Sequence, residues 1–194
     1  MQCMGSIKPN WNRNRLCRRK ILWVSLKFDK LIEPYPSFLE DYASVAILII
    51  DDKEILFIKR SENLPTHKGH IAFPGGKKEN SDKNIVETAL REAEEELFIE
   101  QSSIKPLGSL NHVDTVEYAF KVFPIICETS DRPDRFNENE VQDIYFLKIE
   151  DLENSDNWIY RGNYENDWIF NFQDQILWGA TAYMTRALLG VNLG

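Results

Sequence analysis

Gly75-Gly76-Lys77, then Asp82, then Thr88-Ala89-Leu90-Arg91-Glu92-Ala93-Glu94-Glu95-Glu96-Leu97-Phe98 is the stretch that decides the reading of this chain. Its second half has the periodicity of a helix over residues 84–98. With a turn of about 100° per residue, Val86, Ala89, Leu90, Ala93 and Leu97 fall in one arc, the stripe that faces a core. Glu92, Glu95 and Glu96 fill a second arc directly beside that stripe, while Glu87 and Glu94 lie on the far side. Carboxylates at i, i+3 and i+4 have Cβ atoms about 5–6 Å apart and repel one another, more so beside a low-dielectric core. Three of them there call for a compensating cation, and hard oxygen ligands select Mg²⁺ or Mn²⁺. Arg91, four residues before Glu95, can pin one carboxylate by a charge-assisted bond. Read alone, the helix fits a solvated acidic face equally well. The loop in front of it tips the balance: Gly75 and Gly76 permit a tight turn and close backbone approach to a ligand. A glycine-rich loop feeding a carboxylate-lined helix suits a metal-bound phosphate.

Outward from this stretch, residues 43–50 and 55–59 are β-rich runs separated by Asp51-Asp52-Lys53-Glu54, which predicts a hairpin. A polar loop over 61–69 leads into Ile71-Ala72-Phe73. Further strands are expected at 116–126, 141–147 and 168–172. A second amphipathic helix is expected over 175–189, with Ile176, Leu177, Ala180, Met184, Ala187 and Leu188 as its stripe. Mixed strands around two helices predict an α/β fold, an α+β sandwich with a mixed sheet between helices. Residues 1–40 read as a separate basic extension, with one strand over 20–28 and a proline-marked connection at Pro34 and Pro36. Residues 41–194 form the expected domain.

The chain has 194 residues and a formal net charge of -8, with 43% apolar and 12% aromatic residues. That suits one domain plus an appendage and excludes global disorder. The apolar stretch 43–50 falls far short of the roughly 18–20 residues a membrane span requires. The acidic total argues against nucleic acid as a partner. Residues 1–30 depart from it, with eight basic groups against Asp29 alone. No continuous apolar run follows them, which argues against a secretory signal. The extension could cover the domain, form a homodimer or direct organellar import; a cytoplasmic location is the default. Cys3, Cys17 and Cys127 form no CxxC pair, so reduced thiols are expected and neither zinc nor a disulfide framework.

The ordered set of glycines, Arg91-Glu92 and Glu95-Glu96 resembles the Nudix hydrolases, whose box reads G, five residues, E, seven residues, R-E-U-x-E-E-x-G-U. The R-E-U-x-E-E core is complete at Arg91 to Glu96. Asp82 stands for the first glutamate, the gap from Asp82 to Arg91 is eight residues, and Phe98 replaces the glycine. The first two departures are similar to the coenzyme A pyrophosphatase branch. So is the upstream stretch Arg60-Ser61, Leu64, His67, Gly69 and Ile71 to Gly76, in which His70 stands where that branch has glutamine. Leu177-Trp178-Gly179-Ala180-Thr181-Ala182 resembles a stretch on that branch's last helix. The likeness spans about residues 42–190.

The resemblance implies cleavage of coenzyme A or an acyl-CoA at the pyrophosphate, giving 3′,5′-ADP and 4′-phosphopantetheine. It implies Glu92, Glu95 and Glu96 as ligands of Mg²⁺ or Mn²⁺ and Arg91 as the group that fixes a carboxylate. The general base is one of the helix glutamates or Glu140, which leads into a strand. Arg60, Ser61, His67, Gly75, Gly76 and Lys77 are expected to meet substrate, and Lys59, Lys68 and Lys78 carry charge nearby. Trp178 reads chiefly as a packing residue, and His112 as structural. ADP-ribose, NADH, a nucleotide sugar or a dinucleoside polyphosphate is the alternative substrate. A weakly catalytic nucleotide-binding module is the alternative of another class.

Overall fold

A computed structural model describes residues 26–30, 35, 37, 41–114 and 121–193. Of the strand expected over 20–28, only 26–28 are described, and they are not in a strand; β1 (Asp29–Lys30) follows them. The expected hairpin forms from β2 (Tyr42–Ile50) and β3 (Glu54–Arg60). Its turn places Asp51 and Asp52 at φ 50° and 59°, and the Lys53 N–H donates to the Ile50 carbonyl at 3.0 Å. Aspartate tolerates that left-handed region better than β-branched residues do.

The short β4 (Ile71–Ala72) and β5 (Gly75–Lys77) flank the Phe73-Pro74 step and precede helix α1 (Ile85–Leu97). Asn84 caps that helix, its side chain accepting from the N–H groups of Val86 (3.0 Å) and Glu87 (2.9 Å). Then come β6 (Lys105–Ser109), β7 (Val113–Asp114), β8 (Lys121–Thr129) and β9 (Val141–Lys148). In the principal sheet the order is β1-β6-β8-β2-β3-β4, with β5 also on β2, β7 on β8 and β9 on β3. β2 and β8 run parallel in register from Tyr42↔Lys121 to Ile50↔Thr129, and the other pairs are antiparallel. The sheet is therefore mixed.

Alternation along β2 and β3 explains the layering. Ala46, Leu48, Ile50, Leu56 and Ile58 face one core, which the α1 residues Val86, Ala89, Ala93 and Leu97 complete. Ile47, Ile49, Ile55 and Phe57 face the other. That second core is closed by α2 (Ile149–Glu153), through Ile149 and Leu152, and by α3 (Gly179–Leu189), through Ala182, Met184 and Leu188. A sheet covered on both faces buries its central strands completely, so β2 reads as a nearly unbroken apolar run. Cys127 lies in this interior, and burial pushes its thiol well above the ordinary range.

A second sheet, β10 (Trp158–Tyr160), β11 (Trp168–Phe172) and β12 (Gln175–Leu177), corrects the expectation of one helix over 175–189. Gln173 at φ 50° turns the chain back, so that Phe170 pairs with Leu177 and Phe172 with Gln175. The helix starts only at Gly179. Ile176 is consequently 44% exposed, and Ala180, also expected in the stripe, is exposed too. No described helix is long and apolar enough to cross a membrane.

Candidate active site

Helix α1 presents its carboxylates beside the β4–β5 turn because its apolar stripe is committed to the core. Glu96 is 1% exposed, and its Oε2 accepts from the Gly75 N–H at 3.1 Å. Its carboxyl is pushed up to about 8, first by burial and then by the negative charge of Glu92, against the Gly75 N–H and the charge of Arg60. Burial likewise raises Glu92 above the usual range, and Glu95 and Glu140 add to this while Arg91 opposes it.

Glu140 comes from the loop before β9, far away in sequence. Its backbone carbonyl accepts from the Ser61 N–H at 2.8 Å, and its Oε1 from the Asn137 side-chain amide at 3.2 Å. The Asn137 N–H in turn donates to the Glu96 carbonyl at 2.9 Å, tying this loop to the end of α1. Glu92, Glu96 and Glu140 thereby offer three carboxylate oxygens within 4.8 Å of one another. Three hard oxygen donors at that spacing, two on largely buried side chains, fit Mg²⁺ or Mn²⁺ and no soft metal.

Arg91 organises the rest. Its Nη1 lies 2.9 Å from both Glu92 Oε1 and Glu95 Oε2, and its Nη2 donates to the Lys77 carbonyl at 2.9 Å. Its Nε and Nη2 each reach the Asp82 carboxylate at 3.0 Å. Asp82, 7% exposed, also accepts from the Thr88 hydroxyl (3.0 Å) and the Glu79 N–H (2.9 Å). Burial works against its ionisation, yet Arg91, the Glu79 N–H and Thr88 outweigh it and hold the carboxyl below the usual range. No spacing in the sequence gives Asp82 a partner. Nine positions from Arg91, it shares no helical face with it, and only the turn at 79–84 brings the two together. Glu95 lies at the rim, its side chain 50% exposed and bonded to Arg91, outside the group of three.

The glycines are close-packed. A Cβ on Gly76 would lie 2.4 Å from Glu92 Oε1, and one on Gly75 2.4 Å from the Ser44 carbonyl oxygen. Phe98 meets the demand for glycine differently: it takes φ 54° itself, its N–H donates to the Glu94 carbonyl at 2.9 Å, and its ring stays 58% exposed. The helix ends where a glycine would end it.

Of the remaining expected contacts, Arg60 lies near Glu96, with its Nε buried and lacking a hydrogen-bond partner. Ser61 is buried, and its hydroxyl accepts from the Asn63 N–H at 3.3 Å. Lys77 and Lys68 are exposed, and Lys78 sits 5.7 Å from the Tyr42 ring. His67 is exposed at φ 53°, with its ring 5.5 Å from that of His70. His112 is exposed, with its ring 5.6 Å from that of Phe123. Trp178 belongs to neither core cluster, unlike the packing role expected for it.

A family model described as the NUDIX domain matches residues 41–166. A protein named "Uncharacterized Nudix hydrolase NudL" from Yersinia enterocolitica is 34% identical over 170 residues, covering 82% of this chain and 87% of that protein. One of the same name from Shigella boydii is 34% identical over 140 residues, covering 69% of this chain and 72% of that protein. Among solved structures, a MutT protein from Methanosarcina mazei is 25% identical with a TM-score of 0.46, covering 60% of this chain and 83% of that one. The chain belongs to the Nudix family and is a Nudix hydrolase.

Proposed function

We propose that this protein hydrolyses the pyrophosphate bond of coenzyme A or an acyl-CoA, releasing 3′,5′-ADP and 4′-phosphopantetheine. One observation carries the reading. The upstream Arg60-Ser61 pair, which resembles the coenzyme A branch, is joined to the carboxylate group itself. Ser61 holds the Glu140 backbone, and Arg60 sets its positive charge near Glu96.

Glu92 and Glu96 would hold Mg²⁺ or Mn²⁺, and Glu95 would add a ligand from the rim. That leaves Glu140, the third oxygen donor of the group, to act on the water. Bound there, the ion supplies charge neutralisation at the pyrophosphate oxygens and a more acidic water. The protein's own groups do the rest. Arg91 fixes Glu92 and Glu95 from one side, so that their oxygens need no reorganisation during reaction. Glu140 faces the two helix carboxylates across the site and takes the proton from the attacking water. The water oxygen bonds to one phosphorus as the bond from that phosphorus to the bridging oxygen breaks, and the bridging oxygen leaves with the other phosphate. Arg60, whose charge lies near Glu96, and the neighbouring lysines offer positive charge to the substrate's phosphates.

The test is incubation of the purified protein with coenzyme A, ADP-ribose and NADH, in Mg²⁺ and separately in Mn²⁺, with products resolved by chromatography. We expect 3′,5′-ADP from coenzyme A and none with Glu96→Gln. Turnover of ADP-ribose or NADH alone would keep the chemistry and overturn the substrate.

A further inference from the structure

A row of rings and cations leads away from the carboxylates along the edge of the β3–β4 pairing. Arg60, near Glu96, donates its N–H to the His70 carbonyl at 3.0 Å. The His70 ring meets Trp178 edge to face, 4.9 Å between centroids at 68°. The Arg161 guanidinium lies 5.4 Å from the Trp178 ring centroid. Two segments distant from each other in sequence thus converge on one indole.

Neither packing nor capping accounts for Trp178. It is only half-buried and belongs to neither hydrophobic cluster. It occupies the N-cap position of α3, yet makes no side-chain capping bond. Arg161 is held rigid: its Nε and Nη2 reach the two oxygens of Asp167 at 3.0 and 2.9 Å, and Asp167 is 1% exposed. Arg186, 8% exposed, adds a second positive charge at the same loop, where its Nη2 reaches the Asn166 carbonyl at 3.5 Å. Glu165 and Asp167 of the same loop balance these two guanidinium groups, so what Trp178 meets is the fixed Arg161 cation itself and not a net positive corner. An indole with a fixed guanidinium over one of its faces combines the π surface and the positive charge that bind a nucleobase carrying phosphate.

We propose that Trp178, flanked by His70 and Arg161, is the subsite for the adenine base of the substrate's nucleotide half. The inference rests on the coenzyme A reading for its substrate. It places the base on Trp178 while the pyrophosphate reaches past Arg60 to the carboxylates.

The experiment uses the full chain and the variants Trp178→Phe, Trp178→Leu and Trp178→Ala, each checked by thermal melting. Adenosine 3′,5′-bisphosphate is titrated by calorimetry, and KM and kcat are measured on coenzyme A. The wild type and Trp178→Phe should bind alike, whereas the leucine and alanine variants bind about tenfold more weakly. KM should rise by the same factor, with kcat held within about twofold. Where Trp178→Ala fails to fold, the phenylalanine–leucine comparison decides, because both fill space and only one presents a π face. Equal binding by those two variants, or no binding by the wild type, would overturn the subsite. Trp178-dependent binding without cleavage of coenzyme A upholds the subsite and overturns the substrate reading. Cleavage with a KM indifferent to Trp178 does the reverse.

Discussion

The Gly75 N–H and the Glu96 carboxylate, 21 positions apart, form a 3.1 Å hydrogen bond that fastens the glycine turn to the acidic helix. The bond satisfies one oxygen of a carboxylate that is otherwise raised in energy by burial and by Glu92. Site geometry and ionisation are therefore coupled at this one residue.

That coupling sets a pH dependence. The Glu96 carboxyl titrates near 8 when folded, against an ordinary 4.5. Between these values the folded state holds a proton that the unfolded state has lost, so stability falls as pH rises across the window. Urea titrations in EDTA from pH 5 to pH 8 should show a decline on the order of 2–4 kcal/mol. Glu96→Gln should flatten it, and saturating Mg²⁺ should offset it by binding the ionised form. An unchanged slope in Glu96→Gln would assign the decline to other groups.

Gly76→Ala and Gly75→Ala should separate function from stability. The added methyl at Gly76 meets first the carboxylate end of Glu92, a side chain and not backbone, and position 76 is paired as a strand residue with Ser44, a conformation alanine adopts. Melting should barely move, by about 0.5 kcal/mol or less, while displacement of Glu92 lowers turnover at least about tenfold. At Gly75 the methyl meets the Ser44 carbonyl and the Val45 Cα at 2.6 Å, both backbone. Chemical denaturation should register a loss of about 2 kcal/mol or more there.

Asp82→Asn removes the charge that anchors Arg91 while keeping its shape. With Arg91 only 13% exposed, the loss should be about 2–3 kcal/mol. Because the native carboxyl is held low, its contribution is present above the ordinary 3.8 and is lost as pH falls. The difference between wild type and variant should therefore shrink toward pH 3, as followed by circular dichroism.

Phe98→Gly should stabilise. A non-glycine residue in the left-handed region costs about 1–2 kcal/mol, and the exposed ring recovers little of it. The greater freedom of glycine in the unfolded chain offsets part of the gain, leaving about 0.5–1 kcal/mol. Turnover should stay within about twofold of wild type, because Phe98 is exposed at the end of α1. A fall in melting temperature would assign the ring a packing role.

What the sequence determined by itself was local and periodic. The helix at 85–97, its buried stripe and its acidic face follow from spacing alone, as do the β2–β3 hairpin with its Asp51-Asp52 turn and the strand at 168–172. These depend on neighbours a few positions apart, whose geometry the backbone fixes. Tertiary structure decided the rest. Glu140 reaches Glu92 and Glu96 only because β9 pairs with β3 and the loop before it is tied to Ser61 and to the end of α1. Asp82 meets Arg91 only through the turn at 79–84. Residues 175–177 have the apolar spacing of a helix, yet they form a strand, because Gln173 turns the chain and β11 supplies the hydrogen-bond partners. Periodicity records which face is buried; which distant segment covers that face, and which charge it delivers there, is settled by long-range pairing that no local pattern encodes.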